Sequence, residues 1–195
     1  MPNENDLACS IMISNMSCEL FNDALYYREM ADKNEDFYIK WRYRRSSIIS
    51  FCASTESWMN CIIKDNLEKR MKPLNNNEKE LLDFIKDYKS KMPNGFNNVR
   101  NKLYNFIPEC INKTGINWKS APEESFENYI ELSNMRNSVI HYAVRNSKDV
   151  HSEKFVELIK QSPDIIENLF KTYALMGNKL SIPSWYKDRY SRIIK

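Results

Sequence analysis

Glycine is nearly missing from this chain, with three copies in 195 residues. Dinucleotide-binding turns, phosphate-cradling loops and hairpin-rich β architectures all consume glycine at fixed positions, so the composition argues against them and leaves a mostly helical fold. Histidine is scarcer still, at two copies. A metal centre would have to rest on carboxylates, and no HExxH or EF-hand pattern occurs, so neither a metal nor a cofactor is expected. The cysteines, Cys9, Cys18, Cys52, Cys61 and Cys110, are odd in number and lack a CxxC pair. They read as small buried hydrophobes in a reducing compartment, not as a disulfide frame or zinc site. No apolar run approaches the roughly 18 residues of a membrane span, and "MPNENDLACS" lacks the basic start and apolar core of a signal peptide. The expectation is a soluble cytoplasmic protein with no membrane partner. A net charge of only +3 gives no global basic field, although a local patch could still bind nucleic acid.

What the chain does have is apolar residues at helical spacing almost throughout, with 42% hydrophobic and 12% aromatic content, enough for one core. The prediction is all-α, an up-and-down bundle of about five to seven helices forming a single domain over residues 1–195. A first helix is expected over about residues 6–33, closed by "DKNED". A long spine helix follows from Phe37 to about Leu67, its second half apolar around so much of its circumference that it must be central. Asn75 and Glu78 have capping-box spacing before a shorter helix, and "MPNG" is a turn. A fourth helix is interrupted by Pro108 and closed by Gly115. Ser120, Pro122 and Glu123 start a fifth, "PEESFENYIELSNMRNSVIHYAV". Two further helical pieces are expected, the second started by Ser162-Pro163 and ended by Gly177, before a basic aromatic tail over about residues 178–195.

Both histidines follow an Arg-Asn pair: Arg136-Asn137 precedes His141, and Arg145-Asn146 precedes His151. The second pairing crosses "NSKD", which offers no apolar anchor and reads as solvated loop. The first lies within an amphipathic helix among Tyr129, Leu132, Met135, Val139 and Ile140, where packing would hold it on a rigid element. Five helical steps of about 100° put Arg136 and His141 roughly 140° apart around the axis and ~7.5 Å apart along it. Asn137, one turn before His141, shares its face. That geometry permits chemistry without requiring it. The alternative is a histidine satisfied by helix packing and an arginine paired with a core carboxylate.

"MRNSVIHY" resembles the signature of the HEPN superfamily, small all-helical domains marked by Arg, four to six residues, then His, with a polar residue after the Arg. The spine segment "SSIISFCASTESWMNCII" is similar to the long HEPN helix in which an apolar run carries a Glu and, four residues on, an Asn; here these are Glu56 and Asn60. One branch, toxins paired with small nucleotidyltransferases, has Tyr two places after the His, whereas this chain has Tyr142 directly after His141 and Ala143 next. The sequence departs from that branch.

The resemblance implies a HEPN-like helical domain acting as a metal-independent endoribonuclease, a hydrolase with a toxin or antiviral defence role. Attack by the substrate's own 2′-OH needs only proton transfer and charge stabilisation at phosphorus. His141 would be general acid or base, Arg136 would stabilise the phosphate, and Asn137 would position the phosphate or the imidazole. Glu56, Asn60 and Tyr142 are the supporting residues, Glu56 as a partner that fixes Arg136 or as a plain ion-pair partner. One chain supplies one His and one Arg, so a homodimer with two motifs in a shared cleft is expected. RNA is the implied partner, with an antitoxin or regulatory protein as a further one. "KWRYRR", with Lys40, Arg42, Arg44 and Arg45, is the candidate RNA contact, and the tail from Lys187 is a second. The competing assignment is a HEPN-like dimer that binds RNA or a partner protein without cleaving.

Overall fold

The computed structural model describes residues 16–111, 123–141, 148–176 and 181–191. It is all-α: seven helices and no strand among the described residues. These are α1 (Met16–Lys33), α2 (Phe37–Glu68), α3 (Asn76–Lys86), α4 (Val99–Asn101 continuing through Lys102–Phe106 and Ile107–Ile111), α5 (Glu124–Ile140), α6 (Glu153–Leu175) and α7 (Ser184–Lys187). The described residues fall into two compact units, one within Met1–Ser57, Glu131–Ile166 and Pro183–Lys195, the other within Trp58–Ile130 and Glu167–Ile182. Three of the four divisions come inside α2, α5 and α6, and the fourth falls between Ile182 and Pro183, just before α7.

Local chemistry sets the helix ends. Asp36 starts α2 by accepting from the Ile39 N–H at 2.8 Å, so the "DKNED" break becomes a three-residue connection. Asn75 and Glu78 form the expected capping box, each side chain accepting from the other's backbone N–H at 2.9 and 3.0 Å. Gly95 supplies the positive φ of the "MPNG" turn, at +77°. The starts and stops proposed at Ser120, Pro122, Gly115 and Gly177 lie outside the described residues, as do Cys9 and residues before Met16.

In the first unit Phe21 of α1 is fully buried, with ring centroids 5.1 Å from Phe51, 5.7 Å from Trp185 and 5.2 Å from Tyr186. Small residues bring α1 against α2: Ser54 Oγ donates to Ser17 O at 2.6 Å and Ser47 Oγ to Ala24 O at 2.9 Å. As numbering rises along one helix it falls along the other, so the two run antiparallel. The described part of the tail from Pro183 on, residues 183–191, packs in this unit. Tyr186 is buried, its hydroxyl donates to Pro163 O at 2.8 Å, and the Tyr190 N–H donates to the buried Asn22 Oδ1 at 3.0 Å. In the second unit Trp58 meets Phe170 at 4.4 Å and Tyr173 at 5.7 Å, and Phe126 lies between Tyr173 and Tyr104 at 5.1 and 5.0 Å.

Two prolines behave differently from the sequence expectation. Pro163 does not start a new helix but sits inside α6, where Ser162 Oγ donates to Leu158 O at 2.7 Å and supports the backbone one turn back. Pro108 is absorbed by a π-helical register over Lys102–Phe106. In that register the Ile107 N–H reaches Lys102 O, so position 108 would donate to Leu103 O, and proline has no N–H to give. The Tyr173 hydroxyl donates to Leu103 O at 3.0 Å in its place. Distant side chains thus carry hydrogen bonds that the local sequence cannot.

Candidate active site

The central relationship of the first unit is between α5 and α2. Leu132, Ser133 and Met135 are buried on α5, and Phe51, Cys52, Ser54 and Thr55 on α2, so packing fixes the two backbones where they meet. There the Arg136 guanidinium forms an ion pair with Glu56 through Nη2 and Oε1, with side chains only 21% and 32% exposed. Arg136 Nε is buried without a hydrogen-bond acceptor of good geometry among the described residues. Partial burial removes water that would otherwise weaken the pair, and it also makes each charge costly without the other.

Cys52 lies one turn before Glu56 and completes the local set. Burial pushes its thiol up to about 12, the Arg136 charge opposes that rise, and the Glu56 charge adds to it. The thiol is directed at Leu132 O, 4.0 Å away and one turn before Arg136. At neutral pH this is a protonated packing group, not a nucleophile. The periodicity of the sequence places Cys52 in the core but says nothing of its contact with Arg136.

His141 sits one residue past α5, its backbone N–H still bonded to Asn137 O at 2.8 Å, and it is exposed. Helical spacing therefore holds up to the histidine, and the roughly 140° separation from Arg136 stands. Arg136 turns to Glu56 while the imidazole meets solvent. Asn137 is half-buried one turn before His141. Tyr142 lies outside the described residues, as do Arg145 and Asn146. Asn60, one turn beyond Glu56 on α2, belongs to the second unit, and its Oδ1 is buried with no hydrogen-bond partner among the described residues.

The cationic run occupies the first turns of α2. Arg42 is exposed, and Lys40, Arg44 and Arg45 are half-buried. Arg44 stacks over the Trp41 ring at 4.6 Å, and burial lowers its pKa against an opposing pull from Asp32. Trp41 itself is 6% exposed, so its ring serves the core, and Tyr43 stacks on Tyr27 at 6.2 Å. Fourteen residues separate Arg42 from Glu56, roughly 21 Å along the helix axis.

His151 is more anchored than a solvated loop would make it. It is exposed, but it ends a 3₁₀ turn, Asp149–His151, pinned by the buried Val150, and its ring meets Trp41 edge-on at 4.9 Å. Its anchor comes from α2, more than a hundred residues earlier, which neighbouring residues could not reveal. Cys61 is exposed, unlike the buried role expected of the cysteines, while Cys52 is buried and Cys18 and Cys110 are intermediate. Among the described residues no three His, Cys, Asp or Glu side chains gather where they could hold a metal ion, and no helix is long and apolar enough to cross a membrane. No protein-family model, curated protein or solved structure matches the chain.

Proposed function

We propose that this chain is a HEPN-like, metal-independent endoribonuclease in which His141 transfers the proton and Arg136 stabilises the phosphate. The observation that carries the reading is the Glu56–Arg136 pair, which fixes a guanidinium on a packed helix five residues before an exposed imidazole. His141 takes the 2′-OH proton or protonates the leaving 5′ oxygen, so the nucleophile is the substrate's own. Arg136 stabilises the non-bridging oxygens, where charge grows in the transition state. Asn137 orients the imidazole or the phosphate. Acid and base come from two copies across a symmetric interface, making the working species a homodimer. Such an activity in the cytoplasm suits a toxin or antiviral effector restrained by an antitoxin or regulatory protein.

A second reading, a HEPN-like module that binds RNA or a partner protein without cleaving, draws on the same pair. A guanidinium already neutralised by Glu56 with Nε buried has an adequate structural reason to be there. Incubating purified protein with mixed RNA in EDTA separates the two. The enzyme reading expects cleavage that leaves 2′,3′-cyclic phosphate ends, falls about 10²- to 10⁴-fold in His141→Ala, and persists in His151→Ala. DNA, lacking the attacking hydroxyl, should stay intact. RNA that is bound and never cut assigns the module.

A further inference from the structure

The helix that carries Glu56 begins with three large apolar side chains in solvent: Phe37 is 60% exposed, Tyr38 77% and Ile39 37%. The Phe37 and Tyr38 rings stand edge to face with centroids 5.7 Å apart. Lys40, Arg42 and Arg45 follow within two turns. Unlike Arg70, Arg100 and Arg136, none of these three pairs with a carboxylate among the described residues. Of the acids just before α2, Asp36 caps the Ile39 N–H and Asp32 acts on Arg44.

Helical spacing orders these groups. Tyr38, Arg42, Arg45 and Ile49 fall at i, i+4, i+7 and i+11, a single stripe, and Glu56 continues it seven residues after Ile49. Trp41 is turned inward under Arg44 and against His151, which fixes the start of the helix and leaves the neighbouring stripe outside. The stripe is thus one ring, Tyr38, with Phe37 beside it, then two cations without a carboxylate partner among the described residues, Arg42 and Arg45, leading toward the Arg136–Glu56 pair.

We propose that this end of α2 is a platform for single-stranded RNA, with bases stacking on Phe37 and Tyr38 and phosphates taken by Arg42 and Arg45. A protein partner would have to desolvate two cations that lack a carboxylate among the described residues, whereas a polyphosphate neutralises them and releases counterions. A duplex keeps its base faces inside its own stack, and only a single strand can offer them to exposed rings. The run from Arg42 to Glu56, roughly 21 Å, makes the platform a holding site upstream of the cutting site, not part of it. The inference rests on the RNA reading above and adds the strand state and the residues that grip it.

The test is binding of a fluorescent, unstructured oligoribonucleotide to the full chain carrying His141→Ala, so that RNA survives, compared with a duplex of equal length and with single-stranded DNA. Single-stranded RNA and DNA should bind comparably and more tightly than the duplex, because stacking does not read the 2′-OH. Phe37→Ala and Tyr38→Ala should each weaken binding by at least about 5-fold, and Tyr38→Trp should restore it. Arg42→Ala and Arg45→Ala should each reduce the salt slope by about 0.7. All these side chains are at least partly exposed, and unchanged thermal unfolding confirms that the variants fold. Equal affinity for duplex, or ring variants that bind normally, overturns the platform. Ring variants that only abolish self-association reassign the face to an interface between copies. RNA bound through the rings but never cut by the wild-type chain sinks the nuclease reading alone, and His141-dependent cutting with unaffected ring variants sinks the platform alone.

Discussion

Arg136 and Glu56, 80 residues apart in sequence, meet as an ion pair with both side chains less than one-third exposed. Neutralising either partner leaves the other charged and short of water. Glu56→Gln and Arg136→Gln should each lower stability by about 1–3 kcal/mol. The double variant should cost less than the two singles together, with a coupling of about 1 kcal/mol or more, measured by urea unfolding. Strict additivity would show that the pair contributes no specific interaction.

Cys52 gives a pH signature to the same corner. Its folded thiol is pushed up to about 12, above the ordinary value of 9.0, because burial disfavours the thiolate. Between those values the unfolded chain releases a proton that the folded chain keeps, so its contribution to stability is whole below pH 9.0 and lost as pH rises toward 12. Alkaline denaturation of the wild type should therefore be steeper than that of Cys52→Ala in this window. The remaining side chains are the same in both proteins, so the difference between them is the measurement. Parallel alkaline limbs would mean that Cys52 is not held protonated.

The spine helix from Phe37, the capping box at Asn75 and the "MPNG" turn were legible because each is written within a few neighbouring residues. Pro163 was not, since a proline ends or interrupts a helix by local rules, and here Ser162 and Tyr186 bond the carbonyls of Leu158 and Pro163. The candidate site divides along the same line. Residue types and spacing nominate Arg136 and His141, and the HEPN resemblance adds Glu56, but the Arg136–Glu56 contact is tertiary, and the opposite outlooks of Arg136 and His141 follow from which side of α5 meets α2. The sequence around His151 reads as loop because its anchor, Trp41, lies far away along the chain.

The two histidines should therefore separate in opposite senses. His141 is exposed at the end of α5, so His141→Ala should leave thermal unfolding nearly unchanged while removing RNA cleavage. His151→Ala loses the edge-on contact with Trp41 and should cost about 0.5–1.5 kcal/mol with cleavage retained. Thermal unfolding and cleavage measured on both variants give a two-by-two comparison. A His151→Ala protein as stable as wild type would show that the ring contact carries no weight, and a His141→Ala protein that still cuts RNA would remove His141 from the mechanism.

Pro108 and Tyr173 supply a test of how the second unit tolerates its π-helical stretch. Leu103 O lacks the backbone donor that proline cannot provide and accepts instead from the buried Tyr173 hydroxyl at 3.0 Å. Tyr173→Phe keeps the ring in place against Trp58 and Phe126 but leaves a buried carbonyl unsatisfied, at an expected cost of about 1–3 kcal/mol. Pro108→Ala restores an N–H that can reach Leu103 O in the π register or Tyr104 O in the α register. In that background Tyr173→Phe should cost less than in the wild type, because the carbonyl then has a second donor. Urea unfolding of the two singles and the double variant decides it: an equal cost of Tyr173→Phe in both backgrounds would mean that the hydroxyl is not compensating for the proline.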